Sequence, residues 1–228
     1  MRFGFRIFVY SCLGILALFP MGSAASSLKS SSLNSSLIFN SGRSLSQNTC
    51  SSPWFLTLSN GGTCSEKDSV FRAAYHYQFT PILGFEVSYG NLGDAAGEGV
   101  RASTQTNAYW KMKTTAWAWG LTATVPIGAG FEVLGKLGRV QTKFVESIES
   151  TTTTGQPITG VSLNGVPITD STLNSTIYGV GAQFNFSREF ALRIQYENYG
   201  KYDVYGAYGL SRPNVTLSAT TVGIVLRF

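Results

Sequence analysis

One histidine, His76, and a charged fraction of 13% in 228 residues leave little material for polar chemistry. A histidine-rich metal centre is excluded by that count, and no metal ligands are expected. Lysine and arginine total 17 against 12 acidic residues, but no basic run occurs, so the clustered face that grips nucleic acid is missing. Past the first residues no apolar segment approaches the ~20 residues of a membrane-spanning helix. Three cysteines are too few for a disulfide framework.

What is present starts with the segment MRFGFRIFVYSCLGILALFPMGSAASS. Arg2 and Arg6 make a basic start, Val9 to Phe19 an apolar core, and the small residues Gly22 to Ala25 a cleavage site. Residues 1–25 therefore read as an export signal, and the serine-rich stretch 26–34 as a loose N-terminal segment without the apolar content to fold. Cys12 leaves with the signal. Cys50 and Cys64 remain, an even number in an exported chain, and are expected to form one disulfide.

The rest alternates in strand-length pieces rich in Tyr, Phe, Trp, Val and Thr. Three pairs are joined tightly, FRAAYHYQF-TPI-LGFEVSYGNL, AWAWGLTATV-PIGAG-FEVLGKLGRV and YGVGAQFNF-SR-EFALRIQYENY. Long polar stretches, roughly residues 93–107, 148–174 and 201–216, are expected to be loops. Short turns on one side and long loops on the other suit a barrel that crosses a membrane with strands. With TTVGIVLRF at the end and one strand before residue 70 the count is eight, and the last strand pairs with the first to leave no edge.

Two segments compete for the first strand, residues 35–45 and WFLTLS at 54–59. A crossing at 54–59 would separate Cys50 from Cys64 by most of the ~25 Å apolar band, whereas a disulfide needs Cα atoms within ~7 Å. Residues 35–45 are therefore favoured. Leu83, Phe85, Val87 and Tyr89 alternate with Gly84, Glu86, Ser88 and Gly90, and Phe190, Leu192, Ile194 and Tyr196 with Ala191, Arg193, Gln195 and Glu197. Small and charged residues fit a narrow lumen, so the apolar faces are assigned to lipid. Phe79, Phe131, Phe186, Phe190 and Phe228 fall at the turn side, as an interfacial aromatic girdle would.

YQFTPILGFEVSYGNLG, LTATVPIGAGFEVLGKLG, GAQFNFSREFALRIQYE and the terminal strand resemble the transmembrane domain of outer-membrane protein A and its relatives, over about residues 70–228. The resemblance implies a monomeric all-β, eight-stranded antiparallel up-and-down barrel in the bacterial outer membrane, spanning 35–228. It also implies an assembly machinery that reads the terminal strand, here Val222, Ile224, Leu226 and Phe228. Glu86, Arg193 and Lys136 match the family's lumenal charges, while relatives can carry lysine where Thr124 stands and glutamate where Gln183 stands. The expected lumen network is His76, Glu86, Glu132, Lys136, Gln183, Arg193 and Glu197. A turn at Thr80 to Ile82 places His76 opposite Glu86, and His76, Glu86 and Arg193 are expected to pair because a lone buried charge is costly.

His76, Glu86 and Ser88 have the residue types of a catalytic triad, but they point away from lipid, so a structural role is expected and no catalytic residue or cofactor. The near-repeat GQPITGVSLN and GVPITDSTLN reads either as a recognition loop or as tolerated duplication. PWFLTL at 53–58 is expected to extend a hairpin above the bilayer or touch lipopolysaccharide, and Lys201 and Arg212 to meet lipid phosphates. Expected partners are outer-membrane lipids, lipopolysaccharide and an extracellular ligand. The expected role is structural or surface interaction, with a small intermittent pore as a variant. A lipid-modifying enzyme and a soluble ligand-binding barrel are the alternatives.

Overall fold

In the computed structural model, residues 34–50, 58–101, 106–152, 170–205 and 211–228 are described. The export signal, the serine-rich segment up to residue 33, most of PWFLTL and most of the near-repeat lie outside them. The strands are β1 Ser35–Gln47, β2 Leu58–Ser65, β3 Lys67–Gln78, β4 Leu83–Arg101, β5 Thr106–Gly128, β6 Phe131–Thr152, β7 Asp170–Asn185, β8 Phe190–Tyr205 and β9 Ser211–Arg227. Eight of them close into an antiparallel ring in the order β1-β3-β4-β5-β6-β7-β8-β9, while β2 stands apart from the ring on the outer end of β4. Closure is made by β1 and β9, in register from Ser36↔Arg227 to Gln47↔Thr216. The first strand is therefore the 35–45 segment.

Three short turns lie at one rim. The Phe79 and Thr80 N–H groups both donate to the Leu83 carbonyl, and the Thr80 hydroxyl accepts from the Leu83 N–H. The second turn runs through Gly128, Ala129 and Gly130, all with positive φ. In the third, Ser187, Arg188 and Glu189 separate Phe186 from Phe190, one residue more than the two expected, and the Ser187 hydroxyl accepts from the Phe190 N–H. The opposite rim differs from expectation. Residues 93–101, 106–107, 148–152, 170–174, 201–205 and 211–216 continue as paired strands. Both faces there carry polar residues, which hides a strand from a pattern search, yet the ladder still satisfies the backbone.

In the lower half the expected sidedness holds. Phe85, Leu192 and Ile224 are 39%, 42% and 54% exposed on the outer wall, while Glu86 and Arg193 are 1% and 5% exposed inside. In the upper half the pattern reverses, contrary to the uniformly polar lumen expected. On β5 the outward Trp117, Trp119 and Leu121 give way to inward Trp110 and Met112 between outward Lys111 and Lys113. On β6 the outward Leu137 is followed by outward Arg139 and Lys143 and by inward Val140 and Phe144. Neither the backbone pairing nor the inward parity of the β5–β6 ladder changes over this stretch. Only the surroundings of the wall change, from lipid to water.

The cylinder also opens there. Pairing between β7 and β8 ends at Tyr178↔Asn198, and between β3 and β4 at Phe71↔Asn91, although all four strands continue. Above these points β8, β9, β1 and β3 form one sheet, and β2, β4, β5, β6 and β7 the other. The two enclose one apolar core, with Val70, Tyr202, Val204, Val215 and Leu217 facing Leu92, Trp110, Met112, Val140, Phe144 and Ile177.

The two breaks are alike. In Asn91-Leu92-Gly93 and Asn198-Tyr199-Gly200 the asparagine Oδ1 accepts from the glycine N–H, at 3.0 and 2.8 Å, and the glycine φ is +84° and +97°. Each ladder shifts register there, and the middle residue is buried. β4 and β8 lie on opposite sides of the ring, so paired Asn-x-Gly bulges split the cylinder at opposite walls. A Cβ on Gly93 would stand 2.7 Å from Asp68 Cβ, and one on Gly200 1.9 Å from Ser175 Oγ. Gly93→Ala and Gly200→Ala should each destabilise by more than ~1 kcal/mol, read as a lower urea midpoint for unfolding from detergent micelles.

Candidate functional site in the lumen

The lower lumen is lined by polar side chains from inward positions of all eight ring strands. At the turn rim the Gln183 Nε2 donates to Glu132 at 2.8 Å, and Arg227 donates to Asn185 at 2.6 Å and lies 3.4 Å from Glu132. Arg193 links this layer to the next, donating from Nε to Gln183 at 2.9 Å and from Nη1 to Glu86 at 3.2 Å. At the centre, Lys136 Nζ donates to Glu86 at 2.7 Å and to Glu197 at 3.0 Å. Arg72 binds Glu86 and lies 3.4 Å from Glu197, whose other bond comes from the Tyr199 hydroxyl at 2.9 Å.

The structure thus brings Glu86, Lys136, Arg193 and Glu197 into direct contact, and joins Glu132 and Gln183 to them through Arg193. His76 is the register partner of Glu86, but its Nε2 pairs with the Thr122 hydroxyl at 2.9 Å. The place beside Glu86 is held by Arg72, three cations now converging on one carboxylate. A charged donor outcompetes a neutral imidazole for an ionised acceptor. Arg72 was not anticipated, although Val70, Arg72, Ala74 and His76 alternate on the inward face of β3 and the rule applied to β4 selects it.

No triad forms around His76: the Ser88 hydroxyl donates to the Ala118 carbonyl at 3.5 Å. Among the described residues no group of His, Cys, Asp or Glu is arranged to hold a metal. Cys50 and Cys64 form a disulfide at the outer end, with Cα atoms 5.9 Å apart. Above the membrane band, burial pushes the Tyr202 hydroxyl up to about 12; Tyr202 accepts from Thr142 at 2.7 Å and donates to the Tyr199 carbonyl. The Trp110 indole N–H donates to Glu146 in the same core.

A closed antiparallel ring with an oily outer wall and an ionic interior defines a β-barrel that crosses a membrane. The chain belongs to the family described as "Outer membrane protein beta-barrel domain", which it matches over residues 15–228, and its place is the bacterial outer membrane. No curated protein matches it significantly. Among solved structures it is similar to Ail of Yersinia pestis, at 16% identity, covering 85% of this chain and 97% of that one, with a TM-score of 0.45. OprG of Pseudomonas aeruginosa is 11% identical, with coverage of 85% and 95% and a TM-score of 0.47. Neisserial surface protein A is 14% identical, with coverage of 86% and 97% and a TM-score of 0.45.

Glu86 is the anion on which three buried cations depend. Glu86→Gln should therefore destabilise the barrel by about 3–5 kcal/mol, whereas Glu132→Gln, whose side chain is 20% exposed, should cost less. Urea unfolding of the folded, heat-modifiable form measures both.

Proposed function

We propose that this outer-membrane barrel is a surface-interaction protein with a closed lumen, and neither a pore nor a lipid-modifying enzyme. The observation that carries this reading is the outer half of the wall. β5 and β6 have 23 and 22 residues, about twice the 9–11 that a tilted strand needs to span a bilayer. The surplus builds a two-sheet head with an apolar core of its own, and the ends of that head carry the loops. Binding residues concentrate where a rigid support ends, and the stretch from the end of β6 into β7 carries the duplicated PITGVSLN and PITDSTLN segments, the last five residues of the second opening β7.

Two stacked barriers support a closed lumen. The ionic layers occupy the membrane half, and Trp110, Met112, Phe144 and Tyr202 lie across the axis above them. A conducting path would have to break the Glu86 and Glu197 pairs and also hydrate the apolar core. On this reading the protein acts as a monomer. Residues 1–25 direct export, 26–34 are a serine-rich N-terminal segment, and assembly machinery recognises Val222, Ile224, Leu226 and Phe228. The head presents its loops to an extracellular ligand.

The test has two arms. In planar bilayers the purified barrel should give no stepwise conductance between pH 5 and 8; discrete channels of stable amplitude would contradict the closed lumen. Cells displaying the full head should capture at least one member of a panel of extracellular proteins and glycans, and capture of none would contradict the surface role. A version with β4–β5 and β6–β7 rejoined at the membrane surface should insert but lose that capture. Equal capture by both forms would contradict the surface role.

A further inference from the structure

Charge does not balance in the middle of the lumen. Arg72, Lys136 and Arg193 converge there, and among the described residues the carboxylates that meet them are Glu86 and Glu197. Glu132 is taken up by Arg227 at the turn rim, and Glu146 lies far along β6 from Lys136, bound by the Trp110 indole. The central layer therefore carries one positive charge more than its carboxylates neutralise, and a buried charge without a counter-charge is costly.

Register locates the surplus. Arg193, Gly223, Asn40 and Arg72 share one inward row across the neighbouring strands β8, β9, β1 and β3. The next row outward along the axis holds Gln195, Thr221, Gly42 and Val70. The two arginines thus stand at the ends of a row whose middle has no long side chain, and both reach forward to Glu86. A Cβ on Gly223 would stand 1.9 Å from Asn40 Oδ1, so the glycine makes room for the amide against the wall.

Behind the arginines the polar atoms are left open. Arg72 Nε and Nη1, Asn40 Nδ2 and Oδ1, and the Thr221 hydroxyl have no hydrogen-bond partner, and all three side chains are 1% exposed. The 3.4 Å approach of Arg72 Nη1 to Glu197 is an ion pair without hydrogen-bond geometry. Buried polar atoms are nearly always paired, so five open ones on three adjoining strands mark a place for a ligand. Ile38, Ala74, Ala191 and Val225 form the row on the turn side and separate this patch from a polar vestibule of about 20 Å³ at the rim.

We propose that the patch binds one small monovalent anion of the halide class, held by the Arg72 guanidinium, the Asn40 amide N–H and the Thr221 hydroxyl. The open atoms are mostly donors, and the charge that is lacking is a single negative one. A divalent phosphate or sulfate would overshoot it, and a cation would enlarge the imbalance. Water satisfies the donors and leaves the charge. The anion completes the ionic plug from the wall opposite Glu86.

The experiment unfolds the refolded barrel with urea in detergent micelles at graded sodium chloride or sodium bromide, made up with sodium gluconate so that ionic strength and screening stay constant. Crystals grown in bromide are measured at the bromine absorption edge. The native midpoint should rise with the logarithm of halide concentration, and an anomalous peak should lie beside Arg72, Asn40 and Thr221. Thr221→Val keeps the shape of the side chain and touches no ion pair; it should fold and need about tenfold more halide for the same gain. Arg72→Gln removes the surplus cation and should abolish the dependence, while Arg188→Gln at the turn rim should leave it unchanged. The same halide response in native protein and Thr221→Val would overturn the site, whether or not Arg72→Gln folds. So would a patch occupied by water with no bromide signal.

Discussion

Inside the hydrocarbon of a bilayer no solvent is available to an unpaired backbone N–H or C=O, and each one left open costs several kcal/mol. A sheet can satisfy that constraint only by meeting itself. Here the meeting is between β1 and β9, and the rest of the lower structure follows from it. Once the ring is closed, each strand must put one face on lipid and the other on a lumen too narrow for large side chains. The alternation of Leu83, Phe85 and Val87 with Gly84, Glu86 and Ser88 is the direct result.

Closure is demanded only within the bilayer, and the chain relaxes it where water returns. At Asn91-Leu92-Gly93 and Asn198-Tyr199-Gly200 the β3–β4 and β7–β8 ladders, on opposite walls, part, and the wall becomes two sheets facing each other. Side chains take over some of the lost backbone bonds: the Asp94 N–H, for instance, donates to the Asp68 carboxylate at 2.7 Å. The apolar residues move to the inside because burial against each other is now their only escape from water. One continuous strand such as β5 therefore belongs to two kinds of structure in succession. Its lower part resembles a membrane wall, and its upper part a soluble β-sandwich.

Much of this is legible in the chain and some of it is not, for identifiable reasons. The ring of eight and its sidedness follow from two clean alternations, on β4 and β8, and from the tight turns. The position of β1 follows from what Cys50 and Cys64 require of the strand between them. Arg72 is hidden because β3 mixes Val70, Ala74 and His76 with it on one face, so no single strand announces a charge. The upper strand ends are hidden because stretches such as GDAAGEGVR at 93–101 and DSTLN at 170–174 carry small or polar residues on both faces and so look like loop. The informative sign is a swap of parity: apolar residues sit at odd positions from Trp117 to Val125 and at even positions at Trp110 and Met112, on one unbroken strand. A swap with no bulge to cause it marks where a wall leaves lipid. The Asn-x-Gly pair carries a second sign, since asparagine and glycine two apart within an aromatic strand favour a left-handed residue and a shift of register.

The reversal of polarity along the axis is most directly tested by tryptophan quenching in bilayers with brominated acyl chains. Versions keeping one indole at a time, Trp119 or Trp110, would be compared after refolding into such vesicles. Strong quenching of Trp119, on the outer wall, together with an unquenched Trp110, enclosed between the two upper sheets, is the predicted result. Equal quenching of the two would mean that Trp110 faces lipid, and the division into membrane wall and soluble head would be wrong.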